Sequence, residues 1–214
     1  MFSLFKRISI SYGITVCNEA KEIELLLSTL IPIIDKRDEI IVLQDVTHRN
    51  ESVSAVLNNH RKNINIIETK LNGDFATFKN NFFKLAKGDF LFQIDADEVP
   101  QATLIKKIKP VLKKNKKSDC FLVPRVNVVN GYTDAHVKRW NWNINDKNYI
   151  NFPDYQPRIV KLKAGIKWIN KVHEVFTGYQ CITELPSDDE TFCLIHIKDI
   201  RRQEKQNSFY ENLS

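Results

Sequence analysis

The chain has 214 residues, of which 43% are hydrophobic and 27% charged, with a formal net charge of +6. That length and mixture exclude a disordered chain and a mini-protein needing metal or disulfide staples, and the positive balance suits an anionic ligand. Cys17, Cys120, Cys181 and Cys193 form no CxxC pair and no zinc-type spacing, and no apolar run spans a bilayer or follows the N-terminus as a secretion signal. These features predict a soluble protein of a reducing compartment, the cytoplasm.

In chain order, Ile8–Val16 reads as a strand. Glu19–Ile33 follows as an amphipathic helix with Ile23, Leu26, Leu27 and Leu30 on one face, Asn18 as its N-cap and Pro32 near its end. Glu39–Leu43 is β-rich, 52–59 helical and Ile64–Glu68 a strand. After the turn Asn72-Gly73-Asp74, Phe75–Ala86 has helical spacing and Gly88 marks its stop. Phe90–Ile94 is the next strand, 101–114 the next helix and Phe121–Val129 a further strand. Strands alternating with helices imply crossover units and a mostly parallel sheet. From Asn130 to Pro157 no period is visible, so loops over a site are expected there. Short β pieces follow at Arg158–Leu162 and Phe192–Ile197, then a polar helical tail over 199–212. The lysines between Lys106 and Lys117 read as a solvated helix face.

The strongest chemical signal is Phe90-Leu-Phe-Gln-Ile-Asp-Ala-Asp-Glu. An apolar strand delivers Asp95 and Asp97 at its C-terminal end, where open α/β sheets bind ligands. Carboxylates two residues apart share a side of an extended chain, and hard oxygens suit Mg²⁺ or Mn²⁺, which bridges phosphates. Thr15-Val-Cys-Asn18-Glu19 and Val42-Leu-Gln-Asp45 end the first two strands with polar groups able to meet a base or ribose. Lys79 and Asn80, in the third helix, are candidates for a diphosphate. Trp140, Trp142, Tyr149 and Tyr155 could stack on sugar rings or pack on the core.

Taken in order, Thr15-Val-Cys-Asn-Glu, Glu39-Ile-Ile-Val-Leu-Gln-Asp, Phe75-Ala with Lys79-Asn80, Ala86-Lys-Gly-Asp-Phe and Ile94-Asp-Ala-Asp-Glu resemble the family 2 glycosyltransferases. The nearest resemblance is to lipopolysaccharide-core transferases of bacteria whose metal motif is Asp-Ala-Asp-Glu. It implies a single GT-A-like α/β domain over 1–214, with 1–100 holding the nucleotide sugar and 101–214 the acceptor. It implies a nucleoside diphosphate sugar donor, foremost a UDP-sugar, bound through Thr15, Asn18, Glu19, Asp45, Lys79, Asn80, Asp95 and Ala96. Mn²⁺ or Mg²⁺ would sit on Asp95 and Asp97, with His173 or His196 completing its sphere. Trp168-Ile-Asn-Lys-Val-His-Glu174 resembles the family's acceptor-side segment, Arg158-Ile-Val its preceding strand and Leu194-Ile-His196 its C-terminal strand. Glu174 is therefore the first candidate for the base that deprotonates an acceptor hydroxyl, followed by Asp154. The acceptor would be a glycan or lipid-linked sugar, with inversion at the anomeric carbon and peripheral attachment to a membrane. Two departures from the family pattern are Gln44-Asp45 in place of an acidic pair and Lys79 in place of arginine.

Competing readings fit less of the chain. A haloacid dehalogenase-like phosphohydrolase would use Asp95 as nucleophile, but its motif belongs after the first strand. A nucleotidyltransferase would need a glycine-rich loop after that strand. A nucleic-acid binder would not place carboxylates at the site, so no nucleic-acid partner is expected.

Overall fold

The computed structural model describes residues 7–162 and 165–211. The N-terminal segment 1–6 and the tail position Asn212 lie outside the described residues. Strands β1 (Ile10–Val16), β2 (Glu39–Asp45), β3 (Asn65–Thr69) and β4 (Phe90–Asp95) pair in parallel in the order β3-β2-β1-β4. They alternate with helices α1 (Ala20–Leu30), α2 (Glu51–Asn59) and α3 (Phe75–Leu85). Because successive side chains point to opposite faces, these buried strands feed two cores. Ile10, Tyr12, Ile14, Ile40, Val42, Phe92 and Ile94 pack with Ile23, Leu26, Leu27 and Leu30 of α1. Ile41, Leu43 and Leu91 pack on the other face with Phe78 and Phe82 of α3.

Two expected punctuation marks act differently. Helix α1 begins after Glu19, with no side-chain cap; Asn18 does not cap it. The Glu19 carboxylate turns back and accepts from the backbone N–H groups of Cys17 and Asn18, at 2.8 and 3.0 Å. Helix α3 ends with Ala86 already extended, so Gly88 does not stop it. Gly88 is needed for close approach, since a Cβ there would lie 2.8 Å from the backbone nitrogen of Ser11.

The second half completes the same sheet. Its elements are β5 (Glu98–Pro100), α4 (Ala102–Lys114), β6 (Cys120–Asn130), α5 (Asp134–Trp140), β7 (Asp154–Lys161), β8 (Lys167–Ile169), β9 (Val175–Thr177), β10 (Ile182–Glu184), β11 (Leu194–Asp199) and α6 (Ile200–Glu211). The full order is β3-β2-β1-β4-β7-β6-β11-β5, with β10 also on β6. Strand β7 runs antiparallel between β4 and β6, and β11 runs parallel to β6. The sheet is thus mixed α/β, mostly parallel, with an antiparallel insertion. Hairpin β8–β9 covers the α3 side through Trp168 and Phe176.

The stretch expected as loops from Asn130 to Pro157 contains α5 and the start of β7. Neither showed in the sequence, because α5 has no buried residue and β7 enters with half-buried polar residues rather than an apolar alternation. The lysines of α4 lie outward as expected, except Lys109, whose ammonium turns in to Asp38 at 2.7 Å. Among the described residues, no helix is long and apolar enough to cross a membrane.

Candidate functional site

Strands β1 and β4 end side by side, with Thr15 and Asp95 as register partners. Above these C-terminal ends opens a cavity of about 1530 Å³, whose lining includes Thr15, Asp45, Asp95, Asp97, Glu174 and His196. This is where a parallel sheet leaves its loops free to build a site.

Asp95 is held from several sides. Arg158, from β7, donates to its Oδ2 at 2.8 Å; Gln93 and Thr15 donate to Oδ1 at 2.8 and 3.1 Å. The Lys79 ammonium lies 3.6 Å away. Burial alone would raise the acid's pKa, but Arg158 and Lys79 hold it well below the usual carboxylate range. Glu98, wholly buried, anchors this frame. Its Oε2 accepts from the Asp95 backbone N–H at 3.1 Å, and its Oε1 meets Arg158 at 2.5 Å and Arg125 at 3.0 Å. Asp95 therefore works inside a neutralised lattice, and both of its oxygens are engaged. A nucleophilic role, as in the phosphohydrolase reading, has no support in this geometry.

Asp97 follows in the turn to β5 and meets a different set. His196, from β11, places Nε2 at 3.2 Å from Asp97 Oδ2, and Arg202 of α6 reaches the same oxygen at 3.4 Å. Burial would raise Asp97, yet the His196 contact outweighs it and holds the acid at about 2. The second ring nitrogen, Nδ1, lies 2.9 Å from Asn127 Oδ1. Asn127 Nδ2 donates to Asp154 Oδ2 at 2.7 Å, which fixes the amide with its oxygen toward the histidine. His196 Nδ1 consequently donates to Asn127, which orients the ring with Nε2 toward Asp97.

Mg²⁺ and Mn²⁺ are commonly held by one or two protein groups, with substrate phosphates and water filling the rest. One carboxylate and one oriented imidazole fit that role, and the nitrogen favours Mn²⁺ over Mg²⁺. The larger set expected from the sequence is not assembled. Among the described residues, no three His, Cys, Asp or Glu groups are arranged to hold an ion. His173 lies in the β8–β9 turn next to Glu174, and Asp95 is committed to its cations.

The remaining candidates separate. Glu174 is delivered by that turn, where Asn170 and His173 adopt left-handed φ of 72° and 54°. Its Oε1 lies 2.6 Å from the buried Lys79 ammonium. Asp154 is gripped by Arg125 at 2.6 Å, by Asn127 and, on its other oxygen, by Gln156 at 2.7 Å. Burial would raise its pKa, but Arg125 leads the partners that lower it. A carboxylate so satisfied is a poor proton acceptor and acts as an anchor. Asp45 lines the cavity while its Oδ1 accepts from Thr47 and from the Leu71 N–H at 3.0 Å. Asn18, Glu19 and Ala96 also line it. Asn80 does not; its amide brackets the backbone N–H and carbonyl of Trp168, each at 2.9 Å, and so fastens β8 to α3. Tyr155 also has a packing role, its hydroxyl donating to the Leu185 carbonyl at 3.0 Å.

Arg125, Asn127, Lys198 and Arg202 join the site without having been expected there from the sequence. An arginine amid an apolar run, as in Phe121-Leu-Val-Pro-Arg125-Val, was the available signal for one of them. Burial lowers the pKa of Lys198, which nonetheless stands in the cavity wall near Asp97.

The sequence model described as Glycosyl transferase family 2 matches residues 11–168. A search of curated proteins returns no match. Among solved structures, S. aureus TarS 1-349 is similar at 17% identity and a TM-score of 0.61, over 89% of this chain and 60% of that one. The same protein in complex with UDP-GlcNAc gives 16% identity and 0.63, over 89% and 59%. The chain thus spans about 60% of the length of the structures it resembles. At such identity the likeness establishes the fold, a GT-A arrangement. The family match covers most of the sheet and both acidic residues of the strand-end motif, and by it the chain belongs to glycosyl transferase family 2.

Proposed function

We propose that this chain transfers a glycosyl group from a nucleoside diphosphate sugar to a hydroxyl of a glycan or lipid-linked acceptor, inverting the anomeric carbon. The observation that carries the reading is the placement of Asp97 and His196 in contact at 3.2 Å beside the neutralised Asp95, at the C-terminal edge of the sheet. Bound there, Mn²⁺ or Mg²⁺ would supply charge to the departing diphosphate.

The protein's own groups divide the remaining work. Thr15, Asn18, Glu19 and Asp45 line the part of the cavity suited to a nucleoside, and a UDP-sugar is the donor we favour. Lys198 and Arg202 stand beside Asp97 and offer cationic partners for phosphate oxygens. Glu174 is the base: it lines the cavity, and the Lys79 ammonium 2.6 Å from its Oε1 aims it. An inverting displacement needs that single base and no protein nucleophile, which agrees with Asp154 and Asp95 both being engaged. Exposed lysines of α4 are compatible with peripheral attachment to an anionic membrane.

Calorimetric titration with UDP, GDP, CDP and dTDP, each with and without Mn²⁺, tests the reading. One diphosphate should bind only with metal, and Asp97→Ala should abolish that binding. Metal-independent binding, or binding unchanged in Asp97→Ala, would overturn it.

A further inference from the structure

Helix α5 is unusual in having no buried residue, yet three large rings gather on and beside it. Trp140 and Trp142 lie 4.9 Å apart between centroids, Tyr132 meets Trp142 edge-on at 6.0 Å, and His136 stacks on Trp140 at 5.3 Å. All four are half-buried, so their mutual packing leaves ring surface open.

The cluster is built in advance. Asn141 takes a left-handed φ of 50° as the C-cap of α5 and turns the chain back, and the Trp142 N–H bonds to the Val137 carbonyl at 3.0 Å. Asn143 and Asn151 then close the loop reciprocally: the Asn143 N–H donates to Asn151 Oδ1 at 2.8 Å, and the Asn151 N–H donates to the Asn143 carbonyl at 2.7 Å. The Ile150 N–H fastens it to the Asn127 carbonyl on β6 at 2.9 Å. Trp142, Ile150 and Asn151 belong to the wall of the same cavity that contains Glu174 and Asp97.

We infer that Trp142, backed by Trp140, forms an acceptor subsite that takes a saccharide, one pyranose laid with its C–H face on the Trp142 indole. This rests on the transferase reading above and goes beyond it by choosing the class of acceptor at this wall. The surroundings favour a sugar over an acyl chain. Arg139 lies 5.8 Å over the Trp140 ring, and Asn141, Asn143 and Lys138 stand exposed around the indoles, so the apolar surface is short and broken by polar groups. A hydrocarbon tail gains by continuous apolar cover, whereas a pyranose presents a small C–H face rimmed by hydroxyls that amides and guanidinium can meet. A preordered pair of rings also loses little freedom on binding.

Tryptophan fluorescence provides the test, because two of the three tryptophans, Trp140 and Trp142, lie in the cluster, and the emission they contribute is the difference between wild type and the Trp142 variants. Wild type, Trp142→Ala and Trp142→Phe would be titrated with chitotetraose, cellotetraose and maltotetraose, and separately with phosphatidylglycerol vesicles. At least one saccharide should perturb the emission of wild type. Its affinity should fall tenfold or more in Trp142→Ala and recover to within about threefold in Trp142→Phe, which retains a ring. Equal saccharide affinity in Trp142→Ala, no response to any of the three, or a response to vesicles alone would overturn the subsite. UDP titration with Mn²⁺ on the same samples separates the two claims: loss of saccharide binding with UDP binding intact bears on the subsite, and failure of UDP to bind wild type bears on the donor reading.

Discussion

Lys79 Nζ lies 2.6 Å from Glu174 Oε1, so a helix of the first half and a turn of the second meet through one buried ion pair. The same ammonium faces Asp95 at 3.6 Å. Burial would lower the lysine's pKa, but Asp95 and Glu174 outweigh it and raise it. The lysine thereby couples Asp95 to the carboxylate proposed to receive the acceptor's proton.

Glu174→Gln keeps the shape of that side chain and removes its basicity. Transfer should fall by about 10²-fold or more, while the affinity for UDP with Mn²⁺ stays within about threefold. Steady-state transfer rates set against calorimetric affinities check this, and a variant that transfers at the wild-type rate would exclude Glu174 as the base.

Asn127→Leu should act at a distance. It removes the acceptor for His196 Nδ1 and the amide donor to Asp154 Oδ2. Loss of such outer partners costs about 10- to 100-fold in metal affinity, readable by the paramagnetic signal of free Mn²⁺. Unchanged Mn²⁺ affinity would mean that the relay does not orient the ring.

Arg158→Met leaves Glu98 buried with one cation fewer and Asp95 without its closest one. Breaking a buried pair from one side costs about 3–5 kcal/mol, so the urea midpoint should fall sharply. The double substitution Arg158→Met with Glu98→Gln should recover part of the loss, because the stranded charge is gone.

Asp97 predicts a specific acid limb. Its folded pKa of about 2 lies below its ordinary value, so the unfolded chain binds the proton more tightly. Its contribution is complete above the unfolded pKa near 4 and disappears as pH falls through about 2, a change of about 2 kcal/mol. Denaturation curves between pH 5 and 2 should show a shallower decline for Asp97→Asn than for wild type.

The first half was legible because its signals are local. The apolar run Phe90–Ile94 ending in Asp95 fixes a strand end, and the helix over 75–85 shows its stripe through Phe78 and Phe82. What stayed hidden depends on distant partners. Asn80 looks like a ligand residue by position, yet its amide is spent on the backbone of Trp168, 88 residues later. Asp154 has the right chemistry for a base, and only the arrival of Arg125 and Asn127 takes that capacity away. Asn127 itself has no sequence signal, since an isolated asparagine on a strand is ordinary until the ring beside it is known.

The position of β7 between β4 and β6 has a consequence for how the molecule comes into being. Arg158 reaches back 63 residues to Asp95, and His196 reaches back 99 residues to Asp97. During synthesis the first four strands and three helices emerge with their acidic edge lacking both of these countercharges. Closing such long loops is slow and entropically costly, so the acidic edge matures last. A chain interrupted before Asp154 would present that acidic edge without Arg158 and His196 and would repel the diphosphate of the proposed donor. Binding of that donor would thus report that the C-terminal strands have docked.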